Sequence, residues 1–227
     1  MDKVWYLKRI NIFSGLSDKE MEMVSHVSFM KKYSKKETIY LPGDRKEQIY
    51  LLKSGRVKIS KLSAEGKELI LTMLGPGDVF GEMALVDDSP SGTIAETMDE
   101  THICVISRKN FEALLTQKPE LAFQITKLIG LRRKELETKI EDLIFRDVHS
   151  RLAHLLLRLA QEHGLKRDRG ILVNIKLTHY EIASLIGSTR ETTTVCLNDF
   201  KKEGLLDFDR RKILLLNEAE LKRKIRT

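Results

Sequence analysis

The chain has 227 residues, 41% of them hydrophobic and 32% charged. That composition suits one or two globular domains with real cores and excludes a disordered chain. The net charge is +7, and from Arg146 onward 17 Lys and Arg stand against 11 Asp and Glu, so the C-terminal third holds +6 of it. Such a third is either a solvated basic surface or the part that meets a polyanion such as DNA.

The first apolar stretch, Val4 to Leu7, is cut off by Lys8 and Arg9. Neither a secretory signal nor a membrane span can be built from it, so the protein is expected in the cytoplasm with no membrane partner. The two cysteines, Cys104 and Cys196, fall in different segments among apolar neighbours, which suits buried thiols. Two cysteines cannot complete a four-ligand iron-sulfur cluster within one chain.

Residues 1 to 30 read as short helices: Leu16, Met21, Val24 and Val27 recur at helical spacing, and Ser17 with Glu20 makes a capping box. From Thr38 to Ser107 the period changes. Short runs of Ile, Val, Leu and Tyr are broken by Pro42-Gly43-Asp44, Ser54-Gly55, Glu65-Gly66 and Gly75-Pro76-Gly77-Asp78, as in a small all-β sandwich or barrel. Ile49, Leu51, Val57, Ile59, Leu69 and Leu71 follow a period of two and are expected to point inward. His102 and Cys104 share one side of a strand as a metal pair could, or as core residues do, with no third ligand nearby.

A long helix is expected from about Glu120 to Phe145, with no proline and one glycine, Gly130. Ile129, Leu136 and Leu143 lie seven apart with Ile125 and Ile140 beside them. That stripe is a coiled-coil seam for a homodimer or a face packed on the helix's own β domain, and Arg132 and Lys139 interrupt it at the alternate positions. A second amphipathic helix follows from Asp147, its N-cap, to His163, with Leu152, Leu155, Leu156 and Leu159 inward.

Thr178 and Glu181 then form a capping box opening a helix to Ile186, and Gly187 is suited to close it in the left-handed conformation. Ser188 and Glu191 read as a second capping box. Two capped helices joined at a glycine, with Ile182, Ala183, Ile186, Val195, Leu197 and Phe200 available for a shared core, are either a helix-turn-helix or an ordinary helical hairpin. In the first case Ser188, Thr189, Arg190, Glu191 and Thr194 face double-stranded DNA, with Arg190 suited to guanine and Glu191 to the cytosine amino group. Lys201 is a candidate phosphate contact. Leu205 to Leu216, turning at Asp209-Arg210-Arg211-Lys212, reads as a β-hairpin wing with a basic tip, and this favours the first reading.

Gly-Ser-Thr-Arg-Glu-Thr at 187–192 and Gly-Asp-Val-Phe-Gly-Glu-Met-Ala-Leu at 77–85 occur in that order in one chain. The sequence resembles, over essentially its whole length, the family of the cyclic AMP receptor protein and the fumarate and nitrate reductase regulator. The resemblance implies an α+β fold: a β-roll (jelly-roll) effector domain over 1–119, a dimerisation helix and hinge over 120–146, and a winged helix-turn-helix over 147–227. It also implies a homodimer on a near-palindromic operator, acting on RNA polymerase, with a dimer contact through Ile129, Leu136 and Leu143. The effector pocket it implies takes in Gly81, Glu82, Met83, Ala84, Gly92, Thr93, Arg132 and Leu136.

That pocket departs from the cyclic-nucleotide members. Where they carry an Arg-Ser pair for the cyclic phosphate, this chain has Gly92 and Thr93, and the adenine-facing Thr-Ser pair aligns with Leu136 and Glu137. Glu82 is therefore expected without its guanidinium, in a pocket poorly suited to cyclic AMP. The alternative is a regulator controlled by a cyclic nucleotide or an unidentified small molecule near Glu82. No cofactor is expected, since residues 77–97 hold no His or Cys for a haem. Nor is an enzyme: there is no phosphate loop, no nucleophile elbow, and the six histidines are scattered.

Overall fold

The computed structural model describes residue 7 and residues 10–13, 15–210 and 212–225. Val4, Lys8 and Arg9 of the N-terminal stretch and Arg211 of the wing tip lie outside the described residues. The chain divides into two compact units, one of residues 1–63 and 70–134, the other of 64–69 and 135–227. The segment 120–146, expected as a separate element, is thus shared between them.

The first unit begins with α1 (Asp18–His26), held by the capping box expected at Ser17 and Glu20. β1 (Ser28–Tyr33) follows at once, a strand where the sequence had suggested helix. Six more strands complete two sheets with β8 (Thr101–Ser107): β2 (Thr38–Tyr40), β3 (Gln48–Ser54), β4 (Val57–Leu62), β5 (Glu68–Leu74), β6 (Val79–Phe80) and β7 (Ile94–Thr97). One sheet has the order β1-β8-β3-β6 and the other β2-β7-β4-β5. β3 and β8 are buried on both faces. Tyr50, Leu52, Ile103 and Val105 fill the core with Tyr33, Val57, Leu74, Phe80 and Ala95. Ile49, Leu51, Cys104 and Ile106 face a second core with Met21, Val24, Phe111, Leu114, Leu121 and Ile125. This explains their unbroken apolar runs.

β5 departs from the expected phase: Ile70 is fully buried while Leu69 and Leu71 are only half-buried. Leu69 belongs with the 64–69 segment of the other unit. His102 Nδ1 lies 3.2 Å from Ser54 Oγ, and the Cys104 thiol donates to Ser28 Oγ at 3.2 Å, so each has a serine partner.

α2 (Arg108–Gln117) leads into α3 (Pro119–Phe145), which runs through both units. In the second unit α4 (Val148–His163) starts at Asp147, whose carboxylate accepts from Ser150 N at 2.7 Å as its N-cap role requires. β9 (Gly164–Arg167) and β10 (Gly170–Val173), unforeseen from sequence, join the wing strands β11 (Leu206–Asp209) and β12 (Lys212–Leu215) in the order β11-β12-β10-β9. Between them run α5 (His179–Ile186) and α6 (Arg190–Lys202), and α7 (Glu218–Ile225) closes the chain's described part. Leu152, Leu156, Leu159, Ile182, Cys196, Leu197, Phe200, Leu206 and Leu221 are all buried here. No described helix is long and apolar enough to cross a membrane.

Candidate nucleic-acid interface and candidate effector site

The turn between α5 and α6 is set by backbone chemistry. Thr178 and Glu181 form the expected capping box, and Gly187 sits at φ 61°, ψ 47°, the left-handed cap. A Cβ on Gly187 would come within 2.6 Å of the Leu143 side chain, so glycine meets both a conformational and a steric need. Ser188 N donates to Ala183 O at 2.9 Å, which keeps Ser188 inside the turn.

The cap of α6 is therefore Thr189, accepting from Thr192 N, and the box expected between Ser188 and Glu191 does not form. This correction has a consequence. Glu191, relieved of capping, stands exposed beside exposed Arg190. Thr193, Cys196, Leu197 and Phe200 bury the opposite face, while Val195, by its spacing only available for that core, is 58% exposed.

Arg190, Glu191, Thr194 and Val195 thus share the outward side of α6, and among the described residues no ion pair engages Arg190 or Glu191. Thr189 begins that side, and Ser188 lies half-buried in the turn before it. Lys201, on the next turns, pairs with Asp207 of β11 at 2.9 Å and lies over the Phe208 ring. Both charged groups of that pair are well exposed, so the link is weak and leaves Lys201 available for phosphate. Cys196 is a free buried thiol 3.6 Å from His149 Nδ1, its proton held more tightly by burial.

In the first unit, Gly81 sits at φ 81° just after β6. A Cβ there would lie 2.6 Å from Gln48 O, so only glycine lets this corner lie against β3. Glu82, Met83, Ala84 and Leu85 form a short 3-10 helix in which Glu82 and Ala84 are buried and Met83 is 44% exposed.

Glu82 is not without a guanidinium: Arg132 of α3 reaches it at 2.5 Å and also donates to Val79 O. No guanidinium stands at Gly92, where the family's arginine would be, and the partner comes instead from α3, at a residue the resemblance already places in the pocket. Around the pair, the Tyr40 hydroxyl is bonded to Thr93, and burial raises its pKa against that bond's pull. Tyr50 and Phe80 stack with ring centroids 4.8 Å apart, and Tyr40 is tilted against both. Tyr40 and Tyr50 were missed from sequence, since nothing local distinguishes them from other strand tyrosines. A Cβ on Gly92 would meet nothing within 4 Å. Leu136, also assigned to this pocket, falls in the other unit.

The stripe on α3 divides. Ile129 packs against the β-roll core and Leu143 against the Gly187 turn, whereas Leu136, Ile140 and Ile144 are 40%, 55% and 67% exposed.

A β-roll carrying a glycine-glutamate corner, joined by one long helix to a winged helix-turn-helix with an open reading face, defines a DNA-binding regulator. Comparison with known proteins agrees in both halves. Residues 30–118 match the cyclic nucleotide-binding domain and residues 150–224 the Crp-like helix-turn-helix domain. Over 226 residues, covering all of both chains, the protein is 30% identical to the CRP-like cAMP-activated global transcriptional regulator of Mycobacterium tuberculosis. It is 32% identical over 194 residues to the global nitrogen regulator of Synechococcus elongatus, covering 85% of this chain and 87% of that one. A solved CooA mutant from Carboxydothermus hydrogenoformans superposes with TM-score 0.75 at 33% identity, covering 88% of each chain. The chain belongs to the cyclic AMP receptor protein and fumarate and nitrate reductase regulator family of transcription regulators, and it is not an enzyme.

Proposed function

We propose that the protein acts in the cytoplasm as a homodimer on a near-palindromic operator, reads each half-site with one copy of α6, and regulates transcription through contact with RNA polymerase. The observation that carries this reading is the outward face of Arg190, Glu191, Thr194 and Val195 on a helix fixed by the Gly187 turn. Two such helices related by a dyad read half-sites about one helical turn, ~34 Å, apart. The exposed row Leu136, Ile140 and Ile144, spaced four residues apart, supports pairing with a second copy. It replaces the seven-residue seam as the core of the dimer contact, with Ile129 and Leu143 at its inner margin.

The effector site is, in this reading, a degenerate cyclic-nucleotide pocket. The M. tuberculosis relative is named as activated by cAMP. Here a cyclic phosphate would have to draw Arg132 away from buried Glu82, and no second guanidinium stands at Gly92. A regulator that recognises its operator with no nucleotide added follows.

The test is binding-site selection by the purified protein, with and without cyclic AMP, beside sedimentation. A dyad-symmetric site selected equally in both conditions by a dimer supports the reading. Selection only with cyclic AMP favours a nucleotide-controlled regulator instead. Leu136→Lys is expected to weaken dimerisation and operator binding together, and a monomeric wild type at micromolar concentration would overturn the dimer.

A further inference from the structure

Thr194 stands on the reading face, yet its hydroxyl is already engaged. Oγ1 lies 2.8 Å from the Arg190 carbonyl oxygen and 2.8 Å from Nδ1 of His179, the first residue of α5. A threonine hydroxyl has one proton, and a carbonyl can only accept. That proton therefore goes to Arg190 O. The contact with His179 then needs a proton from the ring, which fixes the tautomer: Nδ1 carries hydrogen and Nε2 does not, in the neutral form. The imidazole lies beside the wing, with its ring centroid 6.2 Å from that of Phe208.

A Thr194 hydroxyl so committed has no proton for guanine O6 or N7, adenine N7 or thymine O4, the acceptors of the major groove. Apart from one lone pair, which can accept only from an adenine N6 or cytosine N4 amino group, what the side chain has left for a base is its Cγ2 methyl. The next residue outward is Val195, 58% exposed and wholly apolar. We infer that Thr194 and Val195 together read a thymine methyl in each half-site, with His179 as the positioning residue that holds the Thr194 side chain in the rotamer whose hydroxyl proton goes to the Arg190 carbonyl.

This inference rests on the DNA-reading function above and adds to it the kind of base selected next to the Arg190 and Glu191 pair. The apolar reading is built by a hydrogen bond between the two helices of the motif, so a threonine here acts as a valine does.

The experiment is binding-site selection with the full-length wild type, Thr194→Val, Thr194→Ser and His179→Ala, followed by titration on the selected operator. One added operator carries uracil in place of the thymine, which removes only the methyl. Wild type is expected to bind the uracil operator about fivefold or more weakly, the lower end of a single lost base contact. Thr194→Val should select the wild-type sequence, whereas Thr194→Ser, which keeps the hydroxyl and loses the methyl, should lose preference at the thymine. His179→Ala should broaden selection there by letting the Thr194 side chain rotate and turn its hydroxyl away from the Arg190 carbonyl, and should have no such effect when Thr194 is already Val.

An altered selection by Thr194→Val, or an unaltered one by Thr194→Ser, overturns the inference, as does equal binding of the thymine and uracil operators. The last measurement uses only wild-type protein and does not depend on any variant folding. If the wild type selected no sequence at all, the DNA-reading function would fail, and that result is distinct from every one above.

Discussion

Glu82 and Arg190 each open a short helical element, yet the protein treats them in opposite ways. Glu82 is buried and held by Arg132 from a helix far along the chain, while Arg190 stands in solvent with Glu191 beside it. The first is a site closed on itself: whatever approaches Glu82 must offer more than the guanidinium already there. The second is open, its charged groups exposed and, in the function proposed above, left for DNA. Burial converts a charge from a recognition element into a structural one, because a desolvated group that loses its partner is costly whereas an exposed one has water to fall back on.

The contrast breaks most readily at Arg132. Arg132→Met leaves the Glu82 carboxylate buried with no counter-charge, and unfolding of the variant is expected to be easier by about 3 kcal/mol, the low end for breaking a buried pair. Chemical denaturation measures it. A loss under about 1 kcal/mol, the size typical of a surface pair, would show that water reaches Glu82 and that the site is open after all.

Arg190→Ala should do the reverse. Stability should hold within about 0.5 kcal/mol, as for exposed substitutions generally. Operator affinity should fall by ~1 to 3 kcal/mol, with the preference for guanine flattened. Uniform weakening on all sequences would make Arg190 a backbone contact and remove it from the reading face.

How legible each site was follows from the same difference. The outward face of α6 rests on local signals, namely a capping box at Thr178, a glycine at the turn and two charged residues after it, all within the fourteen positions 178–191. Even there the cap slid by one residue, because Ser188 and Thr189 are both good caps and the bond from Ser188 N to Ala183 O decides between them. The Glu82 and Arg132 pair joins residues fifty positions apart, and no local pattern points from one to the other. β1 was hidden for a related reason: its central residues Phe29, Met30, Lys31 and Lys32 are all exposed, so it shows no alternation. The long helix was legible as a helix. Which side of it faces its own core depended on what packs there, as Ile129 and Leu143 show.

Gly92→Arg sharpens the comparison by supplying the closed site with a second guanidinium. The position has room for a side chain, since nothing lies within 4 Å of a built Cβ. A charged hydrogen bond is worth ~1.5 to 3 kcal/mol, so cyclic AMP affinity should rise by about tenfold or more over the wild type. Calorimetry on both proteins reads it directly. Strong binding by the unmodified chain would mean that the existing Arg132 already serves the phosphate, and the degenerate pocket would have to be abandoned.

The smallest expected effect tests whether burial has the same meaning for a charge in the second unit. Lys139 of α3 is half-buried, and desolvation, aided by the nearby Arg158, lowers its pKa from 10.5 to about 8 against the opposing pull of Asp142. A lysine that binds its proton less well when folded opposes folding wherever the unfolded chain is protonated. Below pH 8 both states carry the proton and the full penalty is present; between about pH 8 and 10.5 the folded state has released its proton and the unfolded state has not, so stability rises with pH across that window and the penalty is gone above it. Lys139→Met keeps the apolar stem and removes the charge. It should therefore stabilise the protein at pH 7, by about 1 kcal/mol after allowing for the lost attraction to Asp142. The gain over wild type should shrink steadily from pH 8 and vanish near pH 10.5. Denaturation of both proteins at pH 7, 9 and 10.5 gives the difference directly, and a gain that stayed constant over that range would assign it to better packing by methionine and leave the buried charge without an energetic role.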